Sequence, residues 1–211
     1  MAAVIISNGT IEDYSYCRKY IDGADLIICA DGGARHAAGF GITPHVLIGD
    51  FDSITQDDCG HFSSLGVETV RFPAEKDRTD TELAVDYAIK KGFRSIIIIG
   101  GLGTRMDHSL ANIFLLKKML DAGVTGMLAD ERNEVLLVRD RVSLRKEEGM
   151  KVTLLPLSES AGGIITRGLY YPLDGDTLGM GSTRGVSNEF EGETAEISVA
   201  GGLLLVIKSR D

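Results

Sequence analysis

Two aspartates separated by one residue follow a short apolar run in the segment HVLIGDFDSI, at positions 45–54. In an extended chain the side chains of Asp50 and Asp52 point to the same face, while Phe51 points to the opposite face and into the core. Two carboxylates this close repel each other unless a positive group lies between them. The spacing therefore predicts a bound cation at the end of this strand.

Further aspartates occur where predicted strands end and loops begin. They are Asp31 in CADGGAR, Asp77 and Asp80 in AEKDRTD, and Asp107 in GGLGTRMDHS. Because the carboxyl ends of parallel strands meet at one edge of an open sheet, we expect these side chains to converge in space. Oxygen ligands in an incomplete protein cage are typical of Mg²⁺ sites, so the sequence predicts magnesium as the cation.

Three of these further aspartates also have a simpler structural explanation. Asp80 fits an acidic residue at a helix start, with Thr79 as the cap and Glu82 completing a capping box. Asp31 before two glycines fits a turn, and Asp107 also precedes a predicted helix. These alternatives stay open for the single residues, whereas a turn explains the acidic pair after the third strand less well.

Small and cationic residues lie beside the acids. Gly32, Gly33 and the GGLG segment at positions 100–103 would let backbone N–H groups approach an anion, although neither segment matches a known phosphate-loop motif. Lys76 and Arg105 either contact phosphate oxygens or form exposed ion pairs with neighbouring acids. No catalytic nucleophile motif is present, and phosphoryl transfer needs none because positioning and electrostatics do most of the work.

The elements that position these residues form two regions. From residue 1 to residue 130, short apolar runs at 4–6, 26–28, 46–48 and 95–101 alternate with helix-like segments at 11–21, 80–92 and 109–123. This alternation predicts a mostly parallel sheet with flanking helices. From residue 131 to residue 211, strand-like runs are separated by Gly, Pro, Asn and Asp clusters, which predicts a smaller all-β, sandwich-like domain. The predicted fold class is α/β with a C-terminal β domain.

The composition is that of an ordinary soluble protein. The chain has 211 residues, of which 44% are hydrophobic and 25% charged, and no apolar run reaches the roughly 18 residues of a membrane-spanning helix. A net charge of -9 argues against nucleic acid or an anionic membrane as a partner. Three widely spaced cysteines predict free thiols and a cytoplasmic location. The opening MAAVIISNGT lacks a basic region and predicts a strand rather than a signal peptide.

Five segments resemble, in order, those of the thiamine pyrophosphokinase family: ADGGA, GDFDSI, KDRTDTELA, GGLGTRMDH and STRGVSNEF. The resemblance covers nearly the whole chain. It implies transfer of diphosphate from ATP to thiamine, giving thiamine diphosphate and AMP, with Mg²⁺ and a homodimer whose active sites are shared between subunits. The alternatives are another nucleotide-dependent pyrophosphokinase or nucleotidyltransferase, and a regulator without catalytic activity that binds Mg²⁺ or nucleotide.

The resemblance also implies roles for single residues of region 1–130, as the nucleotide- and Mg²⁺-binding catalytic domain. Metal-binding and catalytic roles fall on Asp50, Asp52 and Asp80, with Lys76 as a further catalytic residue. Asp80 is in addition a candidate to orient or deprotonate the thiamine hydroxyl. The residues facing the nucleotide are expected to be Asp31, Gly32, Gly33, Arg105 and Asp107.

In region 131–211 the resemblance implies thiamine binding and dimerisation. The residues expected to contact thiamine are Tyr171, Ser187 and Asn188. Tyr171 lies in RGLYYPL, at the position where animal relatives carry Trp, so its ring is a candidate to stack on thiamine. The alternative for Tyr171 is an ordinary tyrosine of the sandwich core.

Overall fold

The computed structural model describes residues 1–51, 62–75 and 77–211. Within these residues the chain divides into two compact units, Met1–Glu131 and Arg132–Asp211. Three residues considered above, Asp52, Cys59 and Lys76, lie outside the described residues.

The first unit is built on a parallel sheet. Its described strands are β1 (Ala2–Ile6), β2 (Leu26–Ala30), β3 (Val46–Gly49), β4 (Glu68–Arg71), β5 (Ser95–Ile99) and β6 (Thr125–Ala129). They lie in the order β4-β3-β2-β1-β5-β6, and each neighbouring pair is parallel. The chain runs outward from β1 to β4 and then continues on the other side of β1, so the strand order reverses between β1 and β5.

The described helices of this unit are α1 (Tyr14–Ile21), α2 (Ala34–Phe40), α3 (Asp80–Lys90) and α4 (Met106–Asp121). The helix α1 begins after Asp13, whose carboxylate accepts a hydrogen bond from the Tyr16 N–H at 3.0 Å. A single 3-10 turn, Asp31–Gly33, joins β2 to α2. Several of the largest fully buried side chains of the unit come from the isoleucines of β5, so the sheet carries the core.

The second unit is all β. Its strands are β7 (Asn133–Val138), β8 (Arg141–Arg145), β9 (Lys151–Pro156), β10 (Ser160–Arg167), β11 (Asp174–Gly179), β12 (Thr194–Ser198) and β13 (Leu204–Ser209). The strand β13 pairs antiparallel with β7 and β9, while β11, β10, β12 and β8 form a four-stranded antiparallel sheet. One core combines Leu154 and Val206 with Ile164 and Ile197 from the other sheet, which confirms the sandwich.

A buried ion cluster joins β7 and β13 within this unit. Lys208 is only 2% exposed, and its ammonium donates hydrogen bonds to Glu134 at 2.8 Å and Glu147 at 2.6 Å. Burial lowers the pKa of Lys208, but the hydrogen bonds to the two carboxylates outweigh burial and raise the pKa above its ordinary value. The cluster therefore depends on all three charges being present together.

The two cysteines that the structure describes are free thiols. Cys17 and Cys29 are both buried, and burial raises the pKa of Cys17 to about 12 and also raises the pKa of Cys29. This confirms the expectation of free thiols for these two residues, and the cytoplasmic location stays a prediction. None of the described helices has the length and apolar character needed to cross a membrane.

Candidate active site

A cleft of about 480 Å³ lies in the first unit at the carboxyl edge of the parallel sheet. Its walls are residues 7–10 after β1, Asp31 after β2, residues 100–105 after β5 and residues 79–81 around the start of α3. The loops after β1 and β5 leave the sheet where the strand order reverses. Ligands of open α/β sheets bind at this position, so the topology alone identifies the cleft as the candidate site.

Two of the predicted acids meet at the end of β3. A Cβ atom built on Gly49 would lie 3.1 Å from Cβ of Asp31 and 3.3 Å from Oδ1 of Asp80. The Oδ1 atoms of both aspartates are buried, and that of Asp31 has no hydrogen-bond partner within the described part of the chain. Burying a carboxylate oxygen without a partner is costly. The arrangement therefore suits a positive or hydrogen-bond-donating group from a ligand.

Of the other predicted metal ligands, Asp50 lies within the described residues and Asp52 does not. Asp50 directly follows Gly49, the last residue of β3, and is not among the residues that line the cleft. Asp52 lies outside the described residues, and within them no three His, Cys, Asp or Glu side chains are grouped as a metal site. The set of magnesium ligands stays a prediction.

The backbone is strained at the predicted functional segments. Among the described non-glycine residues, φ is positive at Asp31 (45°), Phe51 (65°) and Ser187 (59°). Such conformations cost about 1–3 kcal/mol each and concentrate at functional sites. Phe51 is buried, as predicted. The prediction of an extended chain from Asp50 through Phe51 is wrong, because a positive φ turns the chain at Phe51.

At the start of α3, capping of the helix and the carboxylate that faces the cleft come from different residues. Thr79 is the cap, and its hydroxyl accepts a hydrogen bond from the Glu82 N–H at 3.2 Å. The Glu82 carboxylate pairs with Lys118 of α4 at 2.9 Å instead of completing a capping box. Asp80 is the first residue of α3, and its buried Oδ1 faces the end of β3. Its carboxylate is therefore placed for a role in the cleft.

Packing explains the small residues after Asp31. A Cβ atom on Gly33 would lie 2.1 Å from the Ile6 carbonyl oxygen, and one on Gly32 would lie 2.4 Å from the Asn8 amide. Both glycines are buried and do not line the cleft, whereas Asp31 does. These glycines let the 3-10 turn approach the end of β1, and their contact with the nucleotide stays a prediction.

Polar side chains without an expected functional role hold the loops of the cleft. Asn112 donates from Nδ2 to the Gly101 carbonyl at 2.7 Å, and the Ser109 hydroxyl accepts from the Gly103 N–H at 3.1 Å. The hydroxyl of Ser7 is hydrogen-bonded to that of Thr81 at 2.9 Å. The SNGT segment directly after the first strand is polar in the sequence. Its place in the cleft depends on the strand order, which the sequence pattern does not show.

The predicted cation Arg105 lines the cleft in an ion pair with its neighbour. Its guanidinium donates to Asp107 at 2.6 Å, and this hydrogen bond lowers the pKa of Asp107 to about 2 and raises that of Arg105. Asp107 itself does not line the cleft. The exposed ion pair weighed as an alternative for Arg105 is thus present. A second arginine, Arg35, also lines the cleft and was not predicted.

A separate cavity of about 350 Å³ lies in the second unit. Tyr171, Arg184, Val186 and Asn188 are among its lining residues. Tyr171 is 64% exposed, so its interpretation as a core tyrosine is wrong. Its ring meets that of Tyr170 edge to face, with 4.9 Å between the ring centroids. The cavity therefore presents an accessible aromatic surface.

The side chain of Asn188 holds the segment that carries this aromatic residue. Its Oδ1 accepts from the Tyr171 N–H at 3.0 Å, and its Nδ2 donates to the Tyr171 carbonyl at 2.7 Å. The neighbouring Ser187 donates its backbone N–H to the Thr153 hydroxyl at 3.0 Å. Asn188 thus positions Tyr171, and contact of Ser187 or Asn188 with thiamine stays a prediction.

The fold and the two cavities define an α/β protein with a ligand cleft at the carboxyl edge of a parallel sheet and a β sandwich that carries a second cavity. The chain belongs to the thiamin pyrophosphokinase family. Residues 17–128 match the family described as thiamin pyrophosphokinase, catalytic domain, and residues 140–204 match its vitamin B1 binding domain. This confirms the family expected from the five sequence segments.

Individual relatives agree with this assignment. The thiamine pyrophosphokinase of Bacillus subtilis (strain 168) is 34% identical over 194 residues, covering 91% of each chain. The crystal structure of a Bacillus subtilis thiamine pyrophosphokinase matches with a TM-score of 0.91 and 30% identity over 100% of both chains. That of Geobacillus thermodenitrificans matches with a TM-score of 0.87 and 30% identity, covering 100% of this chain and 98% of the other.

Proposed function

We propose that this chain transfers the diphosphoryl group of ATP to the hydroxyl group of thiamine, giving thiamine diphosphate and AMP. The observation that carries the proposal is the meeting of Asp31 and Asp80 at the end of β3, in a cleft also lined by the glycine-rich residues 100–103. Carboxylates for a cation and small residues for phosphates are the groups that such a transfer requires.

In the proposed reaction the thiamine hydroxyl oxygen forms a bond to the β-phosphorus of ATP. The bond from that phosphorus to the oxygen bridging to the α-phosphate breaks, and AMP leaves with the electron pair. The hydroxyl proton passes to a base, for which Asp80 is the candidate because its carboxylate lies in the cleft at the start of a helix. Arg35 and Arg105 contribute positive charge along the cleft.

We propose that Asp50, Asp52 and Asp80 hold Mg²⁺, with Asp31 beside them. The fit rests on the buried Oδ1 of Asp31, which lacks a hydrogen-bond partner within the described residues, and on its position next to Asp80. When bound, Mg²⁺ would supply the charge that neutralises phosphate oxygens. Lys76, outside the described residues, stays a candidate for the same purpose.

We propose that thiamine binds to the second unit at the cavity that includes Tyr171. Thiamine carries a positive charge, and an exposed aromatic face attracts cations by about 0.5–1 kcal/mol. Asn188 supports the site by fixing the backbone of Tyr171 through two hydrogen bonds. The strained φ of Ser187 beside it is a further mark of a functional segment.

The decisive experiment is an assay of AMP formation with and without thiamine. We expect AMP to appear only when ATP, thiamine and Mg²⁺ are all present. AMP formation with a pterin acceptor but not with thiamine would identify another pyrophosphokinase. Binding of an ATP analogue in calorimetry without any turnover would instead identify a regulator.

We further propose a homodimer in which each active site uses residues of both chains. Exposed apolar side chains of the second unit, among them Tyr171 and Met180, are suited to a subunit contact. The test mixes an Asp50→Asn chain with an Asn188→Ala chain, each inactive alone. Recovery of activity after demonstrated subunit exchange supports shared sites, and continued inactivity rejects them.

A further inference from the structure

A buried histidine lies directly beneath one wall of the cleft. His36 of α2 is 4% exposed, its Nδ1 lies 2.7 Å from the Tyr14 hydroxyl, and its Nε2 lies 2.8 Å from the Gly9 carbonyl oxygen. Burial and the nearby Arg35 lower the pKa of His36, so the ring is neutral at neutral pH. A carbonyl can only accept, so Nε2 carries the proton and donates to Gly9 at 2.8 Å, while Nδ1 accepts from Tyr14. The Nε atom of Arg35, 3.5 Å from Nε2, is then a neighbour of the ring and not a donor to it.

The tyrosine that orients this histidine is itself fixed. The Tyr14 ring packs edge to face against Phe40, with 4.9 Å between the ring centroids. A Cβ atom on Gly39 would lie 2.5 Å from the Tyr14 ring, so the backbone of α2 lies directly against it. The hydroxyl therefore has a defined direction, and so does the imidazole that it holds.

The residue held by His36 joins two walls of the cleft. The Gly9 N–H donates to the Gly100 carbonyl at 2.8 Å, and a Cβ atom on Gly9 would lie 2.4 Å from that same oxygen. Arg35 also donates to the Gly9 carbonyl, at 3.2 Å, and to that of Asn8, at 2.9 Å. A shift of Gly9 would therefore move the loop after β1, the glycine-rich loop after β5 and the arginine together.

We propose that His36, oriented by Tyr14, is a positioning residue that fixes Gly9 and thereby sets the affinity of the cleft for ATP. The inference rests on the proposed function, because it takes the cleft to be the nucleotide site. His36 does not line the cleft, so it acts through Gly9. The hydrogen bond from Nε2 is the essential contact, and Tyr14 serves to aim it.

Two amide substitutions separate the two contacts of the ring. In His36→Gln the amide nitrogen can reach the position of Nε2 and donate to Gly9, whereas in His36→Asn the shorter amide reaches only the position of Nδ1. Loss of the Gly9 contact should raise the KM for ATP about fivefold to tenfold. We expect this increase, with less than about a twofold change in kcat, for His36→Asn and a KM near that of the wild type for His36→Gln.

Tyr14→Phe keeps the packed ring and removes only the hydroxyl, so it is the variant least able to disturb folding. We expect it to raise the KM for ATP about twofold to fivefold. The matched control is Tyr87→Phe, which removes a tyrosine hydroxyl that donates to Glu68 at 2.8 Å, away from the cleft loops. That control should leave the KM for ATP unchanged.

Calorimetric titration with a non-hydrolysable ATP analogue gives a second readout, in which the Kd should follow the same order. Equal KM and Kd values in His36→Asn, His36→Gln and the wild type would overturn the inference, as would lower thermal stability without any change in either constant. Absence of thiamine-dependent AMP formation by the wild-type protein would instead reject the proposed function, which distinguishes the two failures.

Discussion

Replacing Asp31 by Asn would remove a buried negative charge without changing the shape of the side chain. The Asp31 Oδ1 is buried without a hydrogen-bond partner in the described residues, and Asp31 and Asp80 both approach the same position beside Gly49. The φ of 45° at Asp31 is one that Asn also adopts readily, so the substitution adds no backbone strain. The variant therefore isolates the contribution of the charge.

The magnitude follows from the cost of an unpaired buried polar group, which is about 1–3 kcal/mol. Because Asn removes the charge but keeps a polar atom at this position, we expect Asp31→Asn to recover only part of this cost. The expected gain is about 1–2 kcal/mol of unfolding free energy when no divalent cation is present. For a chain of this length that corresponds to about 2–4 °C in Tm for each kcal/mol. The thiamine-dependent rate of AMP formation should fall about 100-fold or more, because the substitution removes the negative charge of Asp31 beside the proposed Mg²⁺ site.

The assay compares thermal unfolding in EDTA and in Mg²⁺ with the rate of AMP formation. Wild-type protein should gain stability when Mg²⁺ is added, and the variant should gain less. Asp22→Asn is the control, because it removes the same charge at an exposed position of the first unit, where the change should stay within about 0.5 kcal/mol. An Asp31→Asn protein with unchanged Tm in EDTA and normal activity would refute the reasoning.

Three further perturbations test other parts of the molecule. Asp80→Asn should lower kcat about 100-fold and change the unfolding free energy by less than about 1 kcal/mol, because Thr79 supplies the cap; urea titration showing lost stability with normal kcat would assign Asp80 to the helix start alone. Lys208→Met should lower the unfolding free energy by about 3–5 kcal/mol, since it removes the buried ammonium that both Glu134 and Glu147 contact, and adding Glu134→Gln should restore part of it; a loss below about 1 kcal/mol would contradict this. The pKa of His36 is lowered in the folded protein, so the unfolded chain takes up a proton at a higher pH than the folded chain. The unfolding free energy should therefore be full above about pH 6.5 and decline below it, less steeply in His36→Gln than in the wild type. Parallel curves of unfolding free energy against pH for the two proteins would contradict a buried neutral ring.

The elements that could be predicted are those with a strong hydrophobic signal. The apolar runs gave β1, β2, β3 and β5, and the predicted helical segments correspond to α1, α3 and α4. The strand β4 was missed because its residues are mostly exposed, and β6 because a glycine interrupts its apolar run. The helix α2 has only seven residues, too few for a clear period, and follows a 3-10 turn instead of a capping side chain.

The acidic residues of the candidate site could be predicted from the sequence, whereas the parts formed by backbone geometry could not. Asp31 and Asp80 do meet, as expected from the rule for strand ends. Residues 7–10 after β1 carry no charge, and their importance comes from the reversal of strand order, which depends on pairings between distant segments. The use of the Asn188 amide to hold Tyr171 likewise depends on a hydrogen-bonded contact that no local pattern encodes.

The positive φ angles at Asp31, Phe51 and Ser187 bear on how this protein would respond to laboratory evolution. Glycine at any of the three would relieve about 1 kcal/mol or more of backbone strain, so a library screened only for heat resistance should enrich glycine there. If the segments are functional, those enriched variants would fold well and turn over poorly. Sequencing such a library before and after a second round screened for activity would therefore identify the functional segments without a structure of the bound substrates.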